Sequence, residues 1–226
     1  MEERNFENLD IKPQLKRALD DMGFVTATPI QAKTLEAILS GKDVIGQAQT
    51  GSGKTAAFAI PCIEKTDAQD DSLQSVILAP TRELAIQICE EFRKILKYTD
   101  DIKVLPVYGG QPIVKQISAL RRGVQIVVGT PGRVIDHIKR HTLKMQNVKY
   151  VVLDEADEML NMGFREDIEK ILVKIPQEHQ TLLFSATMPK PIVDITHKYQ
   201  TDPLHIKADS GSKVSVPKVC RRESRC

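Results

Sequence analysis

Asp43–Thr55 reads DVIGQAQTGSGKT: a strand-like run over Asp43–Gln47, a loop carrying Gly51 and Gly53, and then a helical pattern over Lys54–Glu64. A second stretch, YVVLDEAD (Tyr150–Asp157), passes from an apolar strand candidate, Tyr150–Asp154, directly into further carboxylates. Both put polar chemistry at the carboxyl end of an apolar strand, where doubly wound α/β sheets hold their ligands. Outward from these two, strand-like runs recur at Ser75–Ala79, Lys103–Tyr108, Gln125–Gly129, Thr181–Ser185 and Leu204–Lys207. Helical patterns fall around and between them, at Pro13–Met22, Thr28–Ser40, Arg82–Lys97, Ile113–Arg121, Gly132–His141, Arg165–Ile175 and Lys190–Tyr199. Runs such as YVVLD and QIVVG are apolar on both faces, as strands covered by helices on each side must be. The repeated order, with right-handed crossovers, predicts an α/β fold: a doubly wound, mostly parallel sheet of about seven strands with helices on both faces.

At 226 residues and 41% hydrophobic content, the chain can build a substantial core. No apolar run approaches the ~18 residues of a membrane span, and no basic-then-apolar leader opens the sequence. Cys62, Cys89, Cys220 and Cys226 have no framework spacing, and the first two lie in helical patterns, so they read as reduced cytosolic thiols. The net charge of +2 hides an asymmetry. After Ser210, five cations (Lys213, Lys218, Arg221, Arg222, Arg225) face Glu223 alone, a local +4, so everything before sums to −2. Overall charge therefore gives no argument for nucleic-acid binding, which would have to come from a local surface. Asp67–Ser72 reads as a surface loop, and from Asp209 onward apolar periodicity disappears, as in a flexible tail.

The glycines let successive backbone N–H groups converge on phosphate oxygens. AQTGSGKT (Ala48, Gln49, Thr50, Gly51, Ser52, Gly53, Lys54, Thr55) thus reads as a P-loop, with Ala48 where the pattern expects glycine. Lys54 sets a cation against the β- and γ-phosphates of a nucleotide, and Thr55 offers a hydroxyl to Mg²⁺. Asp154 holds Mg²⁺ directly or through water, and Glu155 orients or deprotonates the attacking water. DEAD alone would serve equally as an acidic helix start that favours the helix dipole; paired with the phosphate loop it reads as catalytic. His137 and His141, four apart on a helix, have a spacing zinc can use, but without a third ligand they read as surface residues.

With these motifs placed, the chain closely resembles the first RecA-like domain of DEAD-box ATP-dependent RNA helicases, most like the bacterial and translation-initiation-factor branches. The similarity runs from Phe6 to Lys207 and includes GFVTATPIQ (Gly23–Gln31), PTRELA (Pro80–Ala85), Gly109-Gly110, TPGR (Thr130–Arg133) and SAT (Ser185–Thr187) in the family's order. The resemblance implies a division into residues 1–41, an arm with an adenine-reading motif; 42–208, the RecA-like ATP-binding domain; and 209–226, a basic tail. It implies that Gln31 reads adenine, that Phe6 stacks on the base or merely anchors the arm, and that Ala27 replaces a common proline beside Thr28. It implies that Ser185 and Thr187 bond to Asp157 and couple nucleotide state to domain closure, where SAT read alone is a helix cap. RNA contact falls to Pro80, Thr81, Arg82, Gly109, Gly110, Thr130, Gly132 and Arg133: small residues, hydroxyls, helix amino termini and cations suited to phosphate and ribose. Alternatively, Gly109-Gly110 is a plain turn, and Arg82 pairs with neighbours of Glu83. The tail binds RNA nonspecifically or is simply solvated.

The implied cofactors are ATP and Mg²⁺, the partner is RNA read without sequence preference, and the compartment is the cytoplasm. Family members close two RecA-like domains around ATP and RNA, the second supplying an arginine finger. Here the expectation is that this second domain, in cis or in trans, is missing, so the chain binds nucleotide and RNA but turns over little alone. The ending VCRRESRC (Val219–Cys226) suits a truncation or frameshift of a helicase. A natural half-helicase acting as an RNA- or helicase-binding module is the alternative, and a non-helicase P-loop ATPase or DNA enzyme a more distant one.

Overall fold

Strands whose every residue is buried cannot lie at a sheet surface, and β2 (Ser75–Leu78), β4 (Ile126–Gly129) and β6 (Gln180–Ser185) are buried throughout. The computed structural model describes residues 6–49 and 51–207. Before the sheet come a 3-10 turn (Phe6–Asn8), α1 (Pro13–Asp21) and α2 (Pro29–Leu39). Then β1 (Val44–Gln47) leads to α3 (Lys54–Lys65), β2 to α4 (Arg82–Ile95), β3 (Val104–Val107) to α5 (Ile113–Leu120), and β4 to α6 (Pro131–Lys139). After these follow β5 (Tyr150–Leu153), α7 (Ala156–Asn161), α8 (Arg165–Leu172), β6, α9 (Lys190–Tyr199) and β7 (Leu204–Lys207).

All seven strands form one sheet in the order β3-β4-β2-β5-β6-β1-β7. Every pairing is parallel. Alternate residues of the strands feed two cores, as the two-residue period of a strand requires. Ile77, Val128, Val152, Leu182 and Phe184 join Phe58 and Phe92 on one face. Val76, Leu78, Val127, Val151, Leu153 and Leu183 join Val134, Met159 and Ile171 on the other. Residues of the amino-terminal arm, Phe6, Ile11, Leu15 and Leu19, enter the first of these cores. No helix among the described residues is long and apolar enough to cross a membrane. The tail 209–226, with Cys220 and Cys226, lies outside the described residues.

The structure corrects several expected boundaries. Asp43, expected in β1, instead spends its carboxylate on the Thr181 and Thr201 N–H groups, both at 2.7 Å. Thr28 is the cap rather than the start of α2, its hydroxyl accepting from Gln31 N–H while the Gln31 side chain accepts from Thr28 N–H. The helix expected to reach His141 stops at Lys139, with His141 in a left-handed conformation at φ 54°. Arg82–Lys97 divides into α4 and a 3-10 turn, and α7 opens one residue after Glu155, inside the DEAD string.

The loops after β3 and β4 are stitched together where Thr130 N–H donates to Val107 C=O at 3.0 Å. A Cβ at Gly129 would stand 2.6 Å from that same carbonyl oxygen and 2.7 Å from Val134 Cγ2. Gly129→Ala is therefore expected to destabilise the fold by about 1–3 kcal/mol. Urea unfolding would read this as a lower midpoint at unchanged slope; an unaltered midpoint would show that these strands separate freely there.

Candidate nucleotide and nucleic-acid sites

The strand order divides the carboxyl edge of the sheet in two. The loops that follow β5, β6 and β1 belong to adjacent strands and carry Asp154–Asp157, Ser185–Thr187 and Ala48–Thr55. The loops that follow β3, β4 and β2, also adjacent, carry Gly109-Gly110, Thr130–Arg133 and Pro80–Arg82. The sequence scatters these six strings, and the winding of the sheet sorts them.

In the first group, Ala48 is buried and its N–H donates to Ser185 C=O at 3.1 Å, while Gln49 is exposed. Thr50 lies outside the described residues. Gly51 and Gly53 are left-handed, at φ 79° and 84°, a backbone that side chains resist. Gly53 is doubly constrained, because an added Cβ would meet Gln31 Nε2 at 2.6 Å. Lys54 opens α3 and is buried, its Nζ 3.9 Å from Asp154 Oδ1. Gly51, Gly53, Lys54, Thr55, Asp154 and Glu155 line one cavity of about 370 Å³. Ser52 Oγ is buried with no hydrogen-bond partner. An orphan hydroxyl beside glycines and a lysine at a helix amino terminus is the donor set an anion takes up.

Burial pushes the Asp154 carboxyl up to about 6, even though Lys54 opposes the shift; Glu155 and Asp157 add repulsion. Its Oδ1 accepts Glu155 N–H at 3.0 Å. Glu155 itself is left-handed (φ 51°, ψ 50°), a conformation that costs a non-glycine residue about 1–2 kcal/mol. Strain of this kind gathers where a side chain must be aimed. The Asp157 Oδ2 accepts both Thr187 N–H (2.8 Å) and Thr187 Oγ1–H (2.7 Å). Ser185 Oγ accepts Asp157 N–H at 3.3 Å and donates to Thr187 C=O at 2.7 Å. Burial would raise the Asp157 carboxyl, but hydrogen bonding to it, chiefly from Thr187, outweighs this and holds it below its usual range.

Gln31 is buried and already engaged: Oε1 accepts Thr28 N–H at 2.8 Å and Nε2 donates to Gly53 C=O at 3.1 Å. Each end of the amide keeps one further bonding position. Phe6 is 2% exposed and packs edge-on against Phe24, ring centroids 5.4 Å apart. That is the anchoring arrangement; the aromatic residue that lines the cavity is Phe24.

In the second group, Pro80 is buried, and Thr81 caps α4 by accepting Leu84 N–H at 3.2 Å. Arg82 is exposed and lies over the Tyr108 ring at 5.1 Å, rather than pairing with neighbours of Glu83. Gly109 and Gly110 are exposed. Thr130 precedes α6 with its hydroxyl free of the capping role, Gly132 is half-buried, and Arg133 is held by Gln111 C=O at 2.9 Å. His137 corrects the sequence reading: it is fully buried, bonded to Gln116 and Thr142, while His141 is exposed as expected. No group of three or more His, Cys, Asp or Glu side chains among the described residues can hold a metal by itself. The Cys62 and Cys89 thiols, free and buried, are pushed up to about 12, which makes them inert. Sequence reasoning passed over Gln116 and Tyr108, since one buried glutamine in an amphipathic helix carries no signal until its partners are known.

A profile of the DEAD/DEAH box helicase family matches residues 28–195. DEAD-box ATP-dependent RNA helicase CshA of Bacillus cereus is 55% identical over 214 residues, covering 95% of this chain and 40% of that protein. The protein of the same name from Bacillus subtilis is 56% identical over 202 residues, 89% of this chain and 41% of its own length. The crystal structure of a DEAD box protein from the hyperthermophile Methanococcus jannaschii superposes with a TM-score of 0.87 at 47% identity, covering 90% of this chain and 56% of that one.

The raised Asp154 carboxyl has a consequence for stability. Its folded value of about 6 lies above the ordinary 3.8, so the folded state holds the proton more tightly. Stability is then lost as pH rises from about 4 to about 6 and stays lost above. Asp154→Asn escapes that loss. Without nucleotide or divalent cation, its stability relative to the unsubstituted chain should improve between pH 4 and 8 by ~2–3 kcal/mol, or roughly 4–10 °C in melting temperature. A difference that does not change with pH would show that the carboxyl is not raised.

Proposed function

The chain belongs to the DEAD/DEAH box helicase family, and from that premise we propose that it forms the ATP- and RNA-binding first domain of an ATP-dependent RNA helicase. It spans about 40% of the length of the curated relatives it matches. ATP-driven unwinding or remodelling of RNA is accordingly proposed for a two-domain protein that includes it. The observation that carries this reading is the meeting of Lys54 with Asp154, 3.9 Å apart in one cavity with left-handed Gly51 and Gly53.

In this reading the P-loop N–H groups and Lys54 take the β- and γ-phosphates, and Gln31 uses its two spare amide positions on adenine. Thr55 and Asp154 would hold Mg²⁺: one hydroxyl and one carboxylate, completed by phosphate oxygens and water, suit that ion better than an all-protein cage. When bound, Mg²⁺ neutralises charge between the phosphates. Glu155 orients or deprotonates the attacking water from its fixed left-handed backbone. The bonds of Asp157 to Ser185 and Thr187 tie the loop after β5 to the loop after β6, the link by which phosphate occupancy would reach a closing second domain.

Across the other half of the edge, an RNA strand lies over the amino termini of α4 and α6 and the glycine loop. The groups there meet phosphate and ribose, so binding is sequence-tolerant, salt-sensitive and selective for RNA through the 2′-hydroxyl. An arginine finger, worth ~10³–10⁵ in rate, is expected from a second RecA-like domain, in cis or in trans. Buried reduced thiols suit a cytoplasmic setting.

Calorimetry on the 226-residue polypeptide should show ATP binding weakened at least about tenfold by Lys54→Ala, the loss of a charge-assisted bond. Single-stranded RNA should bind more tightly than DNA of matched sequence, with affinity falling steeply as salt rises. RNA-stimulated ATP turnover should be slow and abolished by Glu155→Gln. Indifference to adenine nucleotides, or equal stimulation by DNA and RNA, would defeat the proposal.

A further inference from the structure

Gln116 lies on the inner face of α5, 2% exposed, with every hydrogen-bonding position of its amide filled. Its Nε2 donates to Tyr108 C=O at 3.0 Å and to Gln111 Oε1 at 3.0 Å. Its Oε1 accepts from Arg133 Nη1 at 3.1 Å and from His137 Nε2 at 2.9 Å. The amide fits only this way round, because a flip would set NH₂ against the guanidinium and oxygen against the Tyr108 carbonyl. It fixes the histidine too: an oxygen that can only accept requires the proton on His137 Nε2, and leaves Nδ1 to Thr142 Oγ1 at 2.8 Å. Burial and the nearby Arg133 lower the His137 pKa, in keeping with a neutral ring.

Tyr108 and Gln111 bracket Gly109-Gly110, and Arg133 lies in the first turn of α6, directly after the turn that follows β4. One buried side chain therefore joins two of the three loops assigned to RNA. Arg133 is gripped through Nη1 by Gln116 Oε1 and Gln111 C=O, with Asp136 Oδ2 3.8 Å from Nε; Nη2 has no partner among the described residues. A guanidinium held on one side and free on the other offers its remaining donors in a fixed orientation, which suits a phosphate. We propose that Gln116 is a positioning residue for RNA binding: it locks Arg133 and the Gly109-Gly110 loop into one preformed surface. The proposal rests on the RNA reading given above and deepens it. Gln116 does not touch RNA; it acts through Arg133.

The test measures binding of a fluorescein-labelled oligouridylate and of ATP by the full 226-residue chain. Gln116→Met, similar in length and volume but without the bonds, should weaken RNA binding about tenfold while ATP affinity stays within about twofold. Arg133→Ala should weaken RNA comparably, and the double variant should be no weaker than either single one, because the two act as a unit. Additive losses, or unchanged RNA binding in Gln116→Met, would overturn the proposal. Should the Met variant not fold, ¹⁵N spectra of the unsubstituted chain decide: slowly exchanging Arg133 guanidinium protons, assigned with Arg133→Ala, support the lock, and rapidly averaged ones overturn it. A loss of RNA binding in Arg133→Ala but not in Gln116→Met removes this inference alone. No RNA binding by the unsubstituted chain removes the RNA reading and this inference with it.

Discussion

A lysine and an aspartate, both almost entirely withdrawn from water and 3.9 Å apart, set the terms for the rest of this domain. Lys54 arrives at the start of α3, from the loop after β1, and Asp154 arrives at the end of β5. β6 lies between those two strands. For the pair to meet, the parallel sheet must be assembled in its register and both flanking cores must be packed. The contact is thus a product of the whole fold and a marker for it. An ion pair this buried and this loosely spaced is poorly suited to holding a protein together, since desolvation consumes most of the Coulombic gain. Its long separation and the upward push on the Asp154 carboxyl describe charges kept in readiness for a ligand that carries charge of its own.

The surroundings share that character. Glu155 has a backbone that a non-glycine residue adopts only under constraint, Ser52 has a buried hydroxyl without a partner, and Gly53 has no room for a side chain beside Gln31. Each costs stability locally and is tolerated because two large apolar cores, one on each face of the sheet, supply it elsewhere. By contrast, Asp157, Ser185 and Thr187 are bonded to one another across the loops after β5 and β6. The loosely held Lys54–Asp154 pocket and the bonded Asp157–Thr187 link sit side by side at the carboxyl edge of the sheet.

The half proposed to meet RNA is built differently. Its loops carry few buried charges, and its cations lie over a ring, as Arg82 does on Tyr108, or are tethered from beneath, as Arg133 is by Gln116. Contact with a flexible polynucleotide is strengthened when the protein's own donors are ordered beforehand, because less conformational freedom is lost on binding. The boundary between the two halves falls between β2 and β5, adjacent strands at the centre of the sheet. Ligands on either side would therefore be sensed through one rigid layer.

Much of this was legible in the chain itself. Apolar runs four to six residues long alternating with helical periods forced a parallel sheet, and glycine, lysine and acid at strand ends forced a phosphate site, because these depend on local chemistry. The ends of elements were less legible: Thr28 and Asp43 each stood one place, and His141 two places, outside the element that periodicity gave them. His137 was misread as well. A histidine on a helix looks solvent-facing until Gln116, twenty-one positions away, is known to accept its proton. Local composition, then, determined which elements form and which strings carry the glycines, lysine and acids proposed to meet phosphate. Strand order, the burial of Lys54 and Asp154, the packing of Phe6 against Phe24 and the Gln116 network were decided only by the tertiary structure, because each depends on how separate elements pack against one another rather than on the residues next to them in the chain.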